Sequence, residues 1–142
     1  MTVVLDTNVV LSARAAGHPH YLLVLALAAG VIRVAVSTEI LLEYEEIITA
    51  NTGADRWRAF ASVLEAAGEL HGNVLHIAPS FRFHLIAADA DDDKFADCAI
   101  AAEADYVITE DRHFDALKNS GHKPQPIAPE EFMRRHLGGA RA

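Results

Sequence analysis

Two short, β-branched apolar runs that each stop at an acid constrain this chain more than any other feature. Thr2-Val3-Val4-Leu5 halts at Asp6-Thr7-Asn8, and Tyr106-Val107-Ile108-Thr109 halts at Glu110-Asp111. Runs of this length and composition read as buried strands. Helical patterns lie around them. The spacing predicts helices over Val9–Arg14, over Tyr21–Ala29 closed by Gly30, and from a Ser37 or Thr38 cap through Ile48. It also predicts helices over Asp55–Ala67 closed by Gly68, and from the acidic run at 89–93 to about Glu103. Val31–Val36 reads as another strand. The stretch from His71 to Leu85 is the least regular, with a strand expected near Val74–Ile77 and an extended connection after it. Pro126–Ala128 reads as a last short strand, and Pro129–Leu137 as a closing helix with proline in its first turn. Strands alternating with helices predict an α/β fold with a parallel sheet in three layers. Ligands in such sheets sit beyond the carboxyl ends of the strands. Asp6 and Asp111 would therefore meet at one rim if their strands are neighbours.

The 142 residues fit a single domain over 1–137, followed by a loose tail at 138–142. A hydrophobic share of 51% excludes a disordered chain. Twelve basic against twenty acidic side chains leave a net charge of −8. The overall field therefore does not hold nucleic acid, and any contact with a polyanion needs a local basic rim or bound cations. Cys98 is the single cysteine, so no intramolecular disulfide forms, and it reads as a small core residue. Neither a signal peptide nor an apolar run near the ~20 residues of a membrane span is seen. The expectation is a soluble, cytoplasmic domain without membrane contact.

The acids are the candidates for chemistry. Asp6 and Asp111, taken singly, read equally well as helix caps or turn residues. Glu43 sits at the border of the apolar face set by Ile40, Leu41, Tyr44, Ile47 and Ile48, where a surface carboxylate or one leaning into a cleft is expected. The segment 89–97 holds Asp89, Asp91, Asp92, Asp93 and Asp97 against Lys94, half of the net charge in nine residues. Carboxylates packed so closely repel unless solvated, protonated or bridged by a cation. Helix geometry puts Asp92 on the face of Phe95, Ala99 and Ala102, and turns Asp93 and Asp97 away from it. Several hard oxygen donors with no His or Cys cluster point to Mg²⁺ or Mn²⁺, not to zinc. The eight histidines are scattered, and no Gly-rich phosphate loop, dinucleotide fingerprint or GxSxG occurs.

Four of these segments, in order, resemble the PIN-domain nucleases. They are Val3 to Ala13 around Asp6, Leu41 to Ile48 around Glu43, Asp89 to Ala99, and Ala104 to Asp111, with Pro129 to Phe132 closing the match. The resemblance is nearest to the PIN-family toxins of bacterial type II toxin–antitoxin systems. It implies a PIN-like three-layer α/β/α fold with a central parallel sheet of four to five strands. It also implies a metal-dependent endoribonuclease whose acids fall on Asp6, Glu43, Asp92 and Asp111. Asp6, Asp92 and Asp111 would hold Mg²⁺ or Mn²⁺, and spacing to Asp111 also admits Asp93 as the third acid. Thr7, Asn8 and Thr109 would orient carboxylates, and Asp97 would be an extra ligand. Glu110 departs from the pattern, since relatives frequently have Gly there. Arg112, His113 and Lys118 are weak candidates for holding RNA phosphates, with an ordinary exposed helix face as the plainer reading. The resemblance further implies a cognate antitoxin and a homodimer. Two other readings stay open. One is a phosphoaspartyl phosphatase of the haloacid-dehalogenase type, with Asp6 as nucleophile but Asn8 where the second acid should stand. The other is a catalytically inactive PIN-like binding module.

Overall fold

The computed structural model describes residues 1–86 and 89–138. The tail predicted to be loose falls mostly outside them, at 139–142. Five strands form one sheet: β1 (Thr2–Leu5), β2 (Arg33–Val36), β3 (Val74–His76), β4 (Tyr106–Ile108) and β5 (Gln125–Ile127). Six α-helices accompany them: α1 (Thr7–Ala13), α2 (Tyr21–Ala28), α3 (Thr38–Thr52), α4 (Ala54–His71), α5 (Asp93–Ala101) and α6 (Pro129–His136). Two 3-10 segments, Ala90–Asp92 and Arg112–Leu117, lead into α5 and follow β4.

The strand order is β3-β2-β1-β4-β5 and every pairing is parallel. Helices cover the sheet in a three-layer α/β/α arrangement, which is why the strands are apolar runs without alternation. All four residues of β1 are buried. The chain winds outward from β1 through β2 to β3, then returns to lay β4 on the other side of β1. That reversal makes the carboxyl ends of β1 and β4 the topological switch point, where a crevice opens between helices. Leu5 pairs with Ile108, and the Asp6 amide extends the ladder by donating to the Ile108 carbonyl at 3.0 Å. The two acid-ended strands are therefore neighbours, aligned at the rim.

Helix bounds differ from the sequence expectation in instructive ways. α1 begins directly at Thr7, because Asp6 already has the extended conformation of a cap residue and its carbonyl accepts from Val9 and Val10. α3 runs on to Thr52, and α4 passes through Gly68 to His71. Gly68 does not end the helix. An added Cβ there would sit 3.6 Å from the Val74 side chain, an ordinary contact that puts α4 close against β3. The stop comes at Gly72, whose φ of 62° is left-handed. Tyr44 is fully buried and its hydroxyl donates to the carbonyl of Leu5, pinning α3 to the last residue of β1.

Two glycines give a graded test. A methyl added at Gly72 would meet open space, so Gly72→Ala costs only backbone conformation, about 1 kcal/mol. Gly30 has φ 76°, and a Cβ there would lie 2.7 Å from His71. Urea unfolding is expected to show Gly30→Ala as the more destabilising of the two.

Candidate functional site

The rim of β1 and β4 gathers carboxylates from four elements. Asp6 is 7% exposed. Its Oδ2 accepts from the Thr109 hydroxyl at 2.7 Å, and the same hydroxyl oxygen accepts the Asp111 amide at 2.9 Å. One threonine thus couples the end of β1 to the turn that carries Asp111. Burial pushes the Asp6 carboxyl up from its ordinary range. The Thr109 and Thr7 hydrogen bonds oppose that rise, and the nearby charges of Asp111 and Glu43 add to it. Asp111 caps the following 3-10 helix, its Oδ1 accepting from the His113 amide at 2.9 Å.

Glu43 leans inward from α3, as a border position permits. Its Oε2 accepts from the Thr7 hydroxyl, and its Oε1 lies 2.7 Å from Lys94 Nζ. Lys94 is itself only 16% exposed. Sequence reasoning counted Lys94 merely as one charge against five. Its partner Glu43 lies on another helix, so no local pattern in the sequence announces the pair.

Asp92 stands at the start of α5. Its Oδ2 is buried and has no hydrogen-bond partner. Burial, then the charges of Asp6, Asp89 and Asp111, then contact with the Asp111 carboxyl, push its pKa up to about 7. The Thr109 hydroxyl joins Asp6 to the Asp111 turn, Thr7 beside Asp6 bonds Glu43, and Asp92 lies close enough to Asp6 and Asp111 for their charges to raise it. Asp6, Glu43, Asp92 and Asp111 are thus brought together. His113 Nδ1 is 3.8 Å from Asp92 Oδ2 and 3.5 Å from Asp111 Oδ1, and Asp89, Asp92 and His113 can present ligand atoms within 4.8 Å of one another. A buried carboxylate oxygen without a donor, ringed by other carboxylates, fits a hard divalent cation such as Mg²⁺ or Mn²⁺.

Asp93 and Asp97 are employed elsewhere. Asp93 Oδ1 accepts the Ile86 amide at 2.9 Å, and Asp97 Oδ1 accepts the Phe83 amide at 3.0 Å. The expectation that this pair turns away from the core holds for helix geometry but fails for burial: Asp97 is 4% exposed. The connection 77–86 folds over that side of α5 and takes both carboxylates as acceptors for its main chain. Burial raises the Asp97 carboxyl above its usual range, partly offset by the Phe83 bond. Asn8 is exposed, while Thr7 and Thr109 make the bonds described above. Arg112 is exposed and Lys118 pairs with Asp115 at 3.3 Å, so of the three weak phosphate candidates His113 alone faces the acids.

The raised Asp92 carboxyl predicts a pH signature in protein freed of divalent cations. Its folded pKa of about 7 exceeds the ordinary 3.8, so its contribution is most favourable below pH 3.8 and is lost as pH rises toward 7. Asp92→Asn removes that loss. Melting temperatures recorded from pH 4 to pH 8 are expected to show the variant gaining on the wild type as pH increases, with the gain levelling above about pH 7.

Comparison with known proteins adds one positive result. A sequence profile described as PIN domain matches residues 2–113, a span that contains all four convergent acids and stops before β5 and α6. No curated protein and no solved structure matches the chain. No helix among the described residues is long and apolar enough to cross a membrane. The profile covers well over half of the chain, and the parallel sheet carries its acids at the switch point, so the protein belongs to the PIN domain family, within the nuclease superfamily.

Proposed function

We propose that this PIN domain is a metal-dependent endoribonuclease that hydrolyses phosphodiester bonds in RNA. The observation that carries the reading is the orphaned, buried Oδ2 of Asp92 beside Asp6 and Asp111. Asp6, Asp92 and Asp111 would hold Mg²⁺ or Mn²⁺, and such an ion supplies Lewis acidity at a phosphate oxygen and neutralises developing charge. Thr109 keeps the Asp6 carboxylate in one orientation by its hydrogen bond. Glu43 orients or deprotonates the attacking water, and Lys94, 2.7 Å from its Oε1, holds that carboxylate in place. His113, on the open side of Asp92 and Asp111, is placed to meet a flanking phosphate. An acidic pocket without cations repels RNA, so substrate binding and cation binding are expected to be coupled.

The same reading extends to partners. A cytoplasmic toxin of this family would be silenced by a cognate protein inserting a cationic side chain among the carboxylates, and the domain would act as a homodimer. The phosphoaspartyl alternative requires an acid two residues beyond Asp6. Asn8 supplies none, which weighs against it.

Cleavage of single-stranded RNA should require Mn²⁺ or Mg²⁺ and stop with EDTA. Asp6→Asn and Asp92→Asn should each slow it by about 10²–10³-fold, the size of losing one stabiliser of transition-state charge. A gel assay on both variants checks this. Unaltered turnover in EDTA would overturn the reading, and a phosphorylated Asp6 trapped with an acyl phosphate would replace it by the phosphatase.

A further inference from the structure

Away from the acid pocket, a buried histidine faces two carboxylates. His20 immediately precedes α2, and its side chain is 4% exposed. Its Nδ1 lies 2.8 Å from the Ser12 hydroxyl oxygen. That hydroxyl has one proton, which it donates to the Val9 carbonyl at 3.0 Å. With that proton on Val9, the hydroxyl oxygen is free to accept from Nδ1–H, which is the tautomer that would turn an Nε2 lone pair toward the glutamates. Nε2 points at Glu130 Oε1, 2.8 Å away. Glu110 completes the group: one ligand atom from each of His20, Glu110 and Glu130 lies within 4.8 Å of the others. Among the described residues neither glutamate has a lysine or arginine partner.

A proton on Nε2 satisfies the 2.8 Å contact with Glu130 but leaves Glu110 without a positive partner, whereas a cation in that proton's place would face the imidazole nitrogen and both carboxylates. A divalent ion balances both negative charges at once. One imidazole nitrogen and two carboxylate oxygens, with the far ring nitrogen donating to an oxygen behind it, make the donor set and the outer hydrogen bond of a borderline transition ion. Imidazole is a poor match for Mg²⁺, which prefers oxygen. We propose that His20, Glu110 and Glu130 form a second cation site that selects Zn²⁺ over Mg²⁺, with water as its fourth ligand. The ion would join the start of α2, the end of β4 and the first turn of α6, three elements distant in sequence. No ligand-pair spacing announces such a site, which is why the scattered histidines gave no zinc signal. The inference does not depend on the nuclease reading, since none of the three residues is assigned there.

Imidazole ¹⁵N–¹H NMR of the full chain, titrated with Zn²⁺ in excess Mg²⁺, tests it. One equivalent of Zn²⁺ is expected to shift His20 Nε2 while Nδ1 stays protonated, and to raise the melting temperature. Glu110→Gln and Glu130→Gln, at exposed positions that leave the fold intact by circular dichroism, should each weaken Zn²⁺ binding by about tenfold or more. Two results would overturn the proposal. In one, His20 carries protons on both nitrogens and ignores Zn²⁺, which makes it only an ion-pair partner of Glu130. In the other, Zn²⁺ shifts His113 and neither glutamate variant matters, which puts the ion among Asp89, Asp92 and His113.

Discussion

The whole arrangement depends on β4 lying beside β1 in register. With Leu5 opposite Ile108, the residues that follow each strand emerge side by side, and the Thr109 hydroxyl can reach both Asp6 and the Asp111 amide. Slipping the ladder by one residue would turn the side chains to the opposite faces. Register is held by the acids that bound these apolar runs: Val3, Val4, Leu5, Val107 and Ile108 are all at or near zero exposure, and a slip along the ladder would draw Asp6 or Asp105 into the layer they fill. The fit of five apolar side chains between those acids thus sets where the carboxylates stand.

Those carboxylates oppose folding where they stand. Asp6 is taken out of water, and Asp92 is both desolvated and faced by three like charges. The structure answers this unevenly. Asp6 receives the Thr109 hydroxyl, Glu43 receives Thr7 and Lys94, and Asp111 receives the His113 amide. Asp92 Oδ2 receives nothing. Three acids are satisfied locally and the fourth is not, so Asp92 is the position where a neighbouring cation would offset the most unfavourable charge.

Much of this was legible in the sequence, for identifiable reasons. The strands were visible because parallel strands buried on both faces are plain apolar runs, and β1 has the bounds its composition predicts. Helix periodicity favours Asp92 over Asp93 for the rim while spacing admits both, and the Asp93 carboxylate accepts the Ile86 amide. Other features depended on tertiary placement. Gly68 looked like a helix end, yet it lies inside α4 facing Val74, and the helix stops at the left-handed Gly72. Asp97 looked solvent-facing until the connection at 77–86 covered it. Lys94 and His20 gained their meaning from residues far away in the chain, which no local pattern encodes.

The connection that covers α5 has no strand partner of its own at Phe83 and Ile86. Two aspartate side chains take the role a neighbouring strand would have played, accepting those two amides from the flank of a helix. Such a clasp grips the main chain, so it is indifferent to the exposed side chains around it, such as Phe81 and Arg82 before it and His84 within it, while Ile86 is held additionally by its own burial in the core. Evolution can therefore rewrite the surface displayed by this segment, swapping aromatic for polar or cationic groups, without loosening its attachment. Within the segment, an imino acid at Phe83 or Ile86, which brings no N–H, would unfasten it, as would loss of the Asp97 or Asp93 carboxylate.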